Sequence, residues 1–208
     1  TCTGSGLTNT SPVFTVQVNS TQVGASCDDG DANTVNDVVV APCGCAGSYV
    51  LLNLHVVLEG PLVVGQTLMR DDIRSLPGFP LSQPYAALGV GPVTGAGGPL
   101  AGAVLTVSGN NAIVDWILVE LRDAAAGTNV AVRTPALLQR DGDVVGVDGT
   151  SALKLPVAAG SYRIAVRHRN HLGVMTANAV SLGTTGTSVD LGVPGTATYG
   201  TEARKNVN

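Results

Sequence analysis

The chain has 208 residues, enough for one sizeable core or for one domain with a small appended module. Charged residues make up 12%, against about 25% in ordinary globular proteins; aromatics are 3%, and the net charge is -4 with Lys+Arg of 11. This composition excludes a disordered or helix-rich chain, and the basic residues, scattered apart from one cluster near Arg167, argue against a nucleic-acid surface, so proteins, glycans or further copies of the chain are the expected partners.

The opening TCTGSG lacks the basic and apolar regions of an export signal, so a mature or excised segment is expected. Between Pro12 and Val23, Val13, Thr15 and Gln17 alternate with Phe14, Val16 and Val18, which predicts a half-buried strand. Cys2, Cys27, Cys43 and Cys45 all fall in the first quarter of the chain, the layout of a local disulfide framework. Zinc is the weaker rival: the spacing at Cys43 and Cys45 is C-x-C, the nearest histidine is His55, and the neighbours are carboxylates. Cys43 and Cys45 are too close to bond comfortably to each other, so each is expected to pair with Cys2 or Cys27.

The cysteines frame CDDGDANTVNDVVVAPCGC, in which Asp29, Asp31, Asn33 and Asp37 occupy relative positions 1, 3, 5 and 9. Hard oxygen donors at that spacing can wrap one calcium ion. The loop is not an EF-hand, because Thr34 and Val40 stand where Gly and Glu are required. The competing reading is an Asx-rich turn whose carboxylates cap backbone amides without metal. Cysteine staples and calcium together predict an extracellular or cell-surface protein. Two units are expected: residues 1–48, the first strand with the acidic loop, and residues 49–208, a β-sandwich.

Val50, Leu52, Leu54, Val56 and Leu58 share one face at period two, with Asn53 and His55 on the other, which predicts a strand. From Gly60 to about residue 100, repeated prolines and glycines forbid long helices and central strands, although MRDDIRSL can form one helical turn. This excursion is expected to lie over the sandwich, held by Leu76, Phe79, Leu81 and Tyr85. In AIVDWILVELRD, Val114, Trp116 and Leu118 are set against Asp115 and Val119. Short strands follow in NVAVRTPALLQRD, LKLPV, SYRIAVRHRN, VMTANAVSL and TSVDLGV, with turns at Asp141-Gly142 and Asp148-Gly149. That series predicts an all-β, antiparallel sandwich of immunoglobulin-like layout.

No catalytic set emerges. A G-x-S-x-G elbow is missing, every thiol is assigned to a disulfide, and Trp116 is the one tryptophan available for sugar stacking. In RHRNHLG, a strand continued from Ile164 and Val166 turns His168 inward and Arg167 and Arg169 outward, as a partner-binding surface. On such a strand His168 and His171 face opposite ways. No apolar run reaches the roughly 18 residues of a membrane helix, so no membrane insertion is expected.

The phrases LEGP, VDWILVELRD, LLQRDGDVV, AGSYRIAVRHRNHLGVMTA and TYGTEARK together resemble modules of large secreted surface proteins of Bacteroidetes, often labelled hemagglutinin-like or adhesin-like. The loop CDDGDANTVNDVVVAPCGCAG resembles a cysteine-framed element repeated before such modules, and AGSYRIAVRH is similar to the Gly-x-Tyr strand of Cna-B-like or prealbumin-like sandwiches. The resemblance implies a non-catalytic structural or adhesive role at the cell surface, with self-association through edge strands open to it. A calcium-dependent carbohydrate-binding module is the alternative expectation.

Overall fold

Alternation of apolar and polar residues from Val50 to Leu58 places Val50, Leu52, Leu54, Val56 and Leu58 in the interior, each at most 7% exposed. A computed structural model describes residues 23–95 and 99–204. The described residues form β1 (Val35–Val40), β2 (Gly44–Ser48), β3 (Val50–His55), β4 (Ile113–Asp123), β5 (Val130–Gln139), β6 (Asp143–Val145), β7 (Leu153–Leu155), β8 (Gly160–His168), β9 (His171–Met175), β10 (Val180–Leu182) and β11 (Thr187–Asp190). Among the described residues, helix is confined to α1 (Gly102–Thr106) and a 3-10 turn at Asp72–Ser75, where MRDDIRSL predicts a turn. Phe14 and its neighbours, together with Cys2, lie outside the described residues.

The fold is all-β and mostly antiparallel, as expected. A hairpin of β1 and β2 precedes one nine-stranded sheet of order β10-β8-β4-β5-β6-β3-β11, with β7 also on β3 and β9 on β8. The short β6 carries the hydrogen bonding from one layer to the other, so the sandwich is a single sheet folded over its own core. Leu51 N–H donates to Gly183 O, drawing the β10 end back beside β3. The last pair departs from the antiparallel rule: β11 runs parallel to β3, from Thr187 opposite Leu52 to Asp190 opposite His55.

Between the layers lies a core of aliphatic side chains, among them Leu52, Leu54, Ile117, Val119, Leu121, Leu138, Leu155 and Ile164. Full burial of each such side chain contributes about 1.5–3 kcal/mol. A second core forms on the outer face of β4 and β5, where Trp116, Leu118 and Leu137 meet Tyr85, Leu100 and Val104. The excursion therefore covers the sheet as predicted, but through different anchors. Tyr85 is buried and Phe79 packs against the second core, whereas Leu76 and Leu81 are exposed, at 60% and 56%.

β4 is buried on both faces, nine residues in succession. Its predicted alternation fails at the start, because a register irregularity between Ile113 and Asp115 sends Val114 into the inner core and Trp116 into the outer one. His55, pointing away from the core, ties β3 to its neighbours: its Nδ1 lies 2.9 Å from Asp190 Oδ1 and its Nε2 2.8 Å from Asp141 O. The turn there requires Gly142, with φ at 99° and a would-be Cβ only 2.3 Å from His55 Nε2.

Candidate functional site: an acidic joint and two buried carboxylates

The β1–β2 hairpin is closed by the Cys27–Cys45 disulfide. Of the pairings left open by the sequence, this one belongs to Cys45; Cys43 is also disulfide-bonded. Residues 24–27 run beside β1, with Gly24 N–H donating to Val39 O and Cys27 N–H to Asp37 O. Asx turns then fold the loop. Asp28 Oδ1 accepts from Gly30 N–H, Asp29 Oδ1 from Asp31 N–H and the Thr34 hydroxyl, and Asp31 Oδ1 from the Asn33 backbone and side-chain amides. Asp29 Oδ2 reaches across to Gly47 N–H at 2.9 Å. Only glycine fits at 47, since a Cβ there would lie 2.1 Å from Asp37 Oδ1.

Of the four expected calcium ligands, Asp29 and Asp37 come together, joined by Asp28; a ligand atom from each lies within 4.8 Å of the others. This makes an acidic cluster able to hold a metal ion. Asp37 Oδ1 is buried without a hydrogen-bond partner. Asp31 instead turns its Oδ2 to the Lys154 ammonium, and Asn33 bonds Asp31. The Lys154 ammonium pulls the Asp31 carboxyl down to about 2, while the Asp31 N–H holds Asp29 below its ordinary value. Lys154 also lies 4.4 Å over the Tyr49 ring, which fastens the loop to β7. Sequence reasoning misses Lys154 and Gly47, whose partners Asp31 and Asp29 are 123 and 18 residues away.

On the outer face of β4, Glu120 is fully buried and meets three guanidinium groups. Arg122 donates through Nε and Nη2 to Oε2, Arg133 Nε to Oε1 at 3.0 Å, and Arg167 Nη1 to Oε1 at 3.5 Å. Burial pushes the Glu120 carboxyl up, but the hydrogen bonds and charges of Arg122, Arg133 and Arg167 outweigh it and leave the group below its ordinary value.

No family model, curated protein or solved structure matches this chain.

At the far end of β4 a second buried carboxylate, Asp115, accepts both bonds of Arg169 at 2.9 Å and lies 3.1 Å from His168 Nε2. The inward placement of His168 agrees with the sequence reading; that of Arg169 does not. β8 ends at His168, and a turn at Arg169-Asn170 folds the chain back, so the Arg169 guanidinium faces Asp115 instead of lying beside the exposed Arg167. The same turn overturns the opposite-face expectation for the histidines. His168 and His171 are cross-strand partners with ring centroids 4.8 Å apart.

Their neighbours fix the tautomers. Asn170 N–H donates to His168 Nδ1, so the His168 proton sits on Nε2 toward Asp115. Gly60 N–H donates to His171 Nε2, which leaves the His171 proton on Nδ1, 2.9 Å from His168 Nδ1. Burial lowers the His171 pKa, the nearby His168 adds to this, and Glu59 and Asp115 oppose it. Because the folded value lies below the unfolded 6.5, stability is whole above that pH and falls as the pH drops through it, when the unfolded chain binds the extra proton. Urea midpoints compared at pH 7.5 and 5 are expected to fall for the wild type and to fall less for His171→Ala; an equal fall in both would remove His171 as the cause.

Proposed function

We propose that this chain is a non-catalytic structural and adhesive module of a bacterial surface protein, working outside the cell as a building unit of a larger assembly. The observation that carries the reading is the joint. An acidic loop closed by Cys27–Cys45 and tied to the sandwich through Asp31 and Lys154 fixes the direction in which the chain enters the fold. Its disulfide calls for an oxidising compartment, and among the described residues no helix is long and apolar enough to cross a membrane. The likeness of several sequence phrases to adhesin-like modules of Bacteroidetes agrees with this role. Burial pushes both buried carboxylates up, but the His168 and Trp116 N–H hydrogen bonds with the Arg169 charge at Asp115, and the arginines at Glu120, hold them below their ordinary values, the reverse of the raised pKa of a general acid, which supports the non-catalytic reading.

Calcium is the ion we assign to Asp28, Asp29 and Asp37. The donors are all hard oxygens, and Asp37 Oδ1 lacks the partner that a cation would supply. Calcium in excess, at about 100 times its Kd, is expected to stabilise the hairpin by about 2.7 kcal/mol. Hydrogen exchange of β1 and β2 in the full chain, with calcium and with chelator, reads this directly. Asp37→Asn is expected to abolish the difference, and equal exchange with and without calcium in the wild type would defeat the assignment. Asp28 is exposed, so an ion held beside it has room for a sugar hydroxyl; chelator-sensitive glycan binding would favour the carbohydrate-binding alternative.

A further inference from the structure

We infer that the cleft beside Glu120 binds the carboxylate of an acidic saccharide, with Arg167 as its anion receptor and Tyr199 as its stacking surface. Donor accounting around Glu120 leads there. Arg122 is engaged through all three of its nitrogens, Nε and Nη2 on Glu120 and Nη1 on Gly127 O. With Arg133 on the other oxygen at 3.0 Å, both carboxylate oxygens are already held without Arg167. Arg167 touches Glu120 at 3.5 Å, the limit of hydrogen bonding, and its side chain is 46% exposed. One carboxylate thus faces three guanidiniums, and the surplus positive charge stands at the surface on the residue least needed inside. An arginine in that state presents its planar fork for two parallel bonds to an incoming carboxylate.

The surroundings suit a sugar ring. Arg167 lines a cleft of about 530 Å³, within the range of small-ligand sites. Ala165, Val174 and Met175 give it apolar walls, and Tyr199, 57% exposed, stands at its side. The Arg163 guanidinium, 5.7 Å from the Tyr199 ring centroid, steadies that ring. A pyranose with one carboxylate matches one exposed guanidinium beside one exposed aromatic ring. A peptide rich in acidic side chains needs a broader basic field. The inference names a ligand for the adhesive reading and so rests on it, but it is separate from the calcium joint, whose exchange measurement does not depend on this cleft.

Calorimetry on the full chain tests it with four probes: sialyllactose, trigalacturonate, neutral lactose, and N-acetylated tetraglutamate. The two acidic saccharides are expected to bind, at least one of them well above lactose, with affinity falling as salt rises. Arg167→Ala is expected to weaken that binding about tenfold to a hundredfold, the loss of a charge-assisted contact. Tyr199→Ala should also weaken it, and Arg167→Lys should restore only part. Arg167 is exposed and makes the weakest contact to Glu120, so both alanine variants are expected to keep the wild-type circular dichroism; a variant that does not is replaced by the salt dependence of the wild type as the deciding measurement. Binding of lactose equal to that of the acidic sugars, tightest binding of tetraglutamate, full affinity in Arg167→Ala, or no binding of either acidic saccharide would each overturn the inference.

Discussion

Glu120→Ala is expected to destabilise the chain by about 3–5 kcal/mol, the cost of removing one partner from a buried ion pair and leaving its charges uncompensated. Glu120 is wholly buried, and Arg122 and Arg133, at 24% and 21% side-chain exposure, have little water to replace its carboxylate. The loss should therefore exceed what any surface ion pair produces, for which about 0–1 kcal/mol is typical. Urea denaturation at neutral pH measures it. A loss of under about 1 kcal/mol would mean that water already solvates the guanidiniums and that the cluster does not hold the strands. The wild type should also weaken in acid. Because the Glu120 pKa is lowered on folding, its contribution is present above the unfolded value of 4.5 and disappears as the pH falls below it.

Trp116→Ala is the second large effect, at about 3–5 kcal/mol. Its indole is fully buried in the outer core, its Nε1–H donates to Pro80 O at 2.8 Å, and its backbone carbonyl accepts from the Tyr85 hydroxyl at 2.9 Å. The side chain is thus a peg between the sheet and the excursion over it. Truncation should loosen the excursion ahead of the sandwich, because the inner core does not include Trp116. Limited proteolysis at native temperature should accordingly cut the variant between about residues 60 and 111, near the exposed Leu76 and Leu81, while leaving the strands on either side uncut. Cleavage spread evenly along the chain would show that the two cores unfold as one.

The sequence makes β3 readable because one of its faces is buried and the other meets Asn53 and His55, so period two survives in the residue order. The same logic fails for β4, where covering by the excursion makes both faces apolar and a bulge shifts the phase at Asp115. Tyr85 and Phe79 are legible as anchors by their size, but Leu76 and Leu81 have the same chemistry and stay in solvent. In RHRNHLG only Asn170 favours a turn, and Arg169-Asn170 lacks the glycine signal that identifies Asp141-Gly142. The acidic loop divides in the same way. Its Asx turns are local and visible in the spacing, whereas the capture of Asp31 by Lys154 crosses 123 residues and leaves no trace in the pattern.

The parallel pairing of β3 with β11 has a mechanical meaning. A pull on the chain draws β3 from its first residue and β11 from its last, and in a parallel pair those two points lie at opposite ends of the ladder. Tension must first strip the Asp31–Lys154 tie on one side and, on the other, the contacts of the following segment, where Tyr199 N–H donates to Met175 O and Ala177 N–H to Ala197 O. It then loads the bonds from Leu52–Thr187 to His55–Asp190 along the strands, so that they resist together and do not open one at a time. The pair thus has the geometry of a shear clamp against force along the chain.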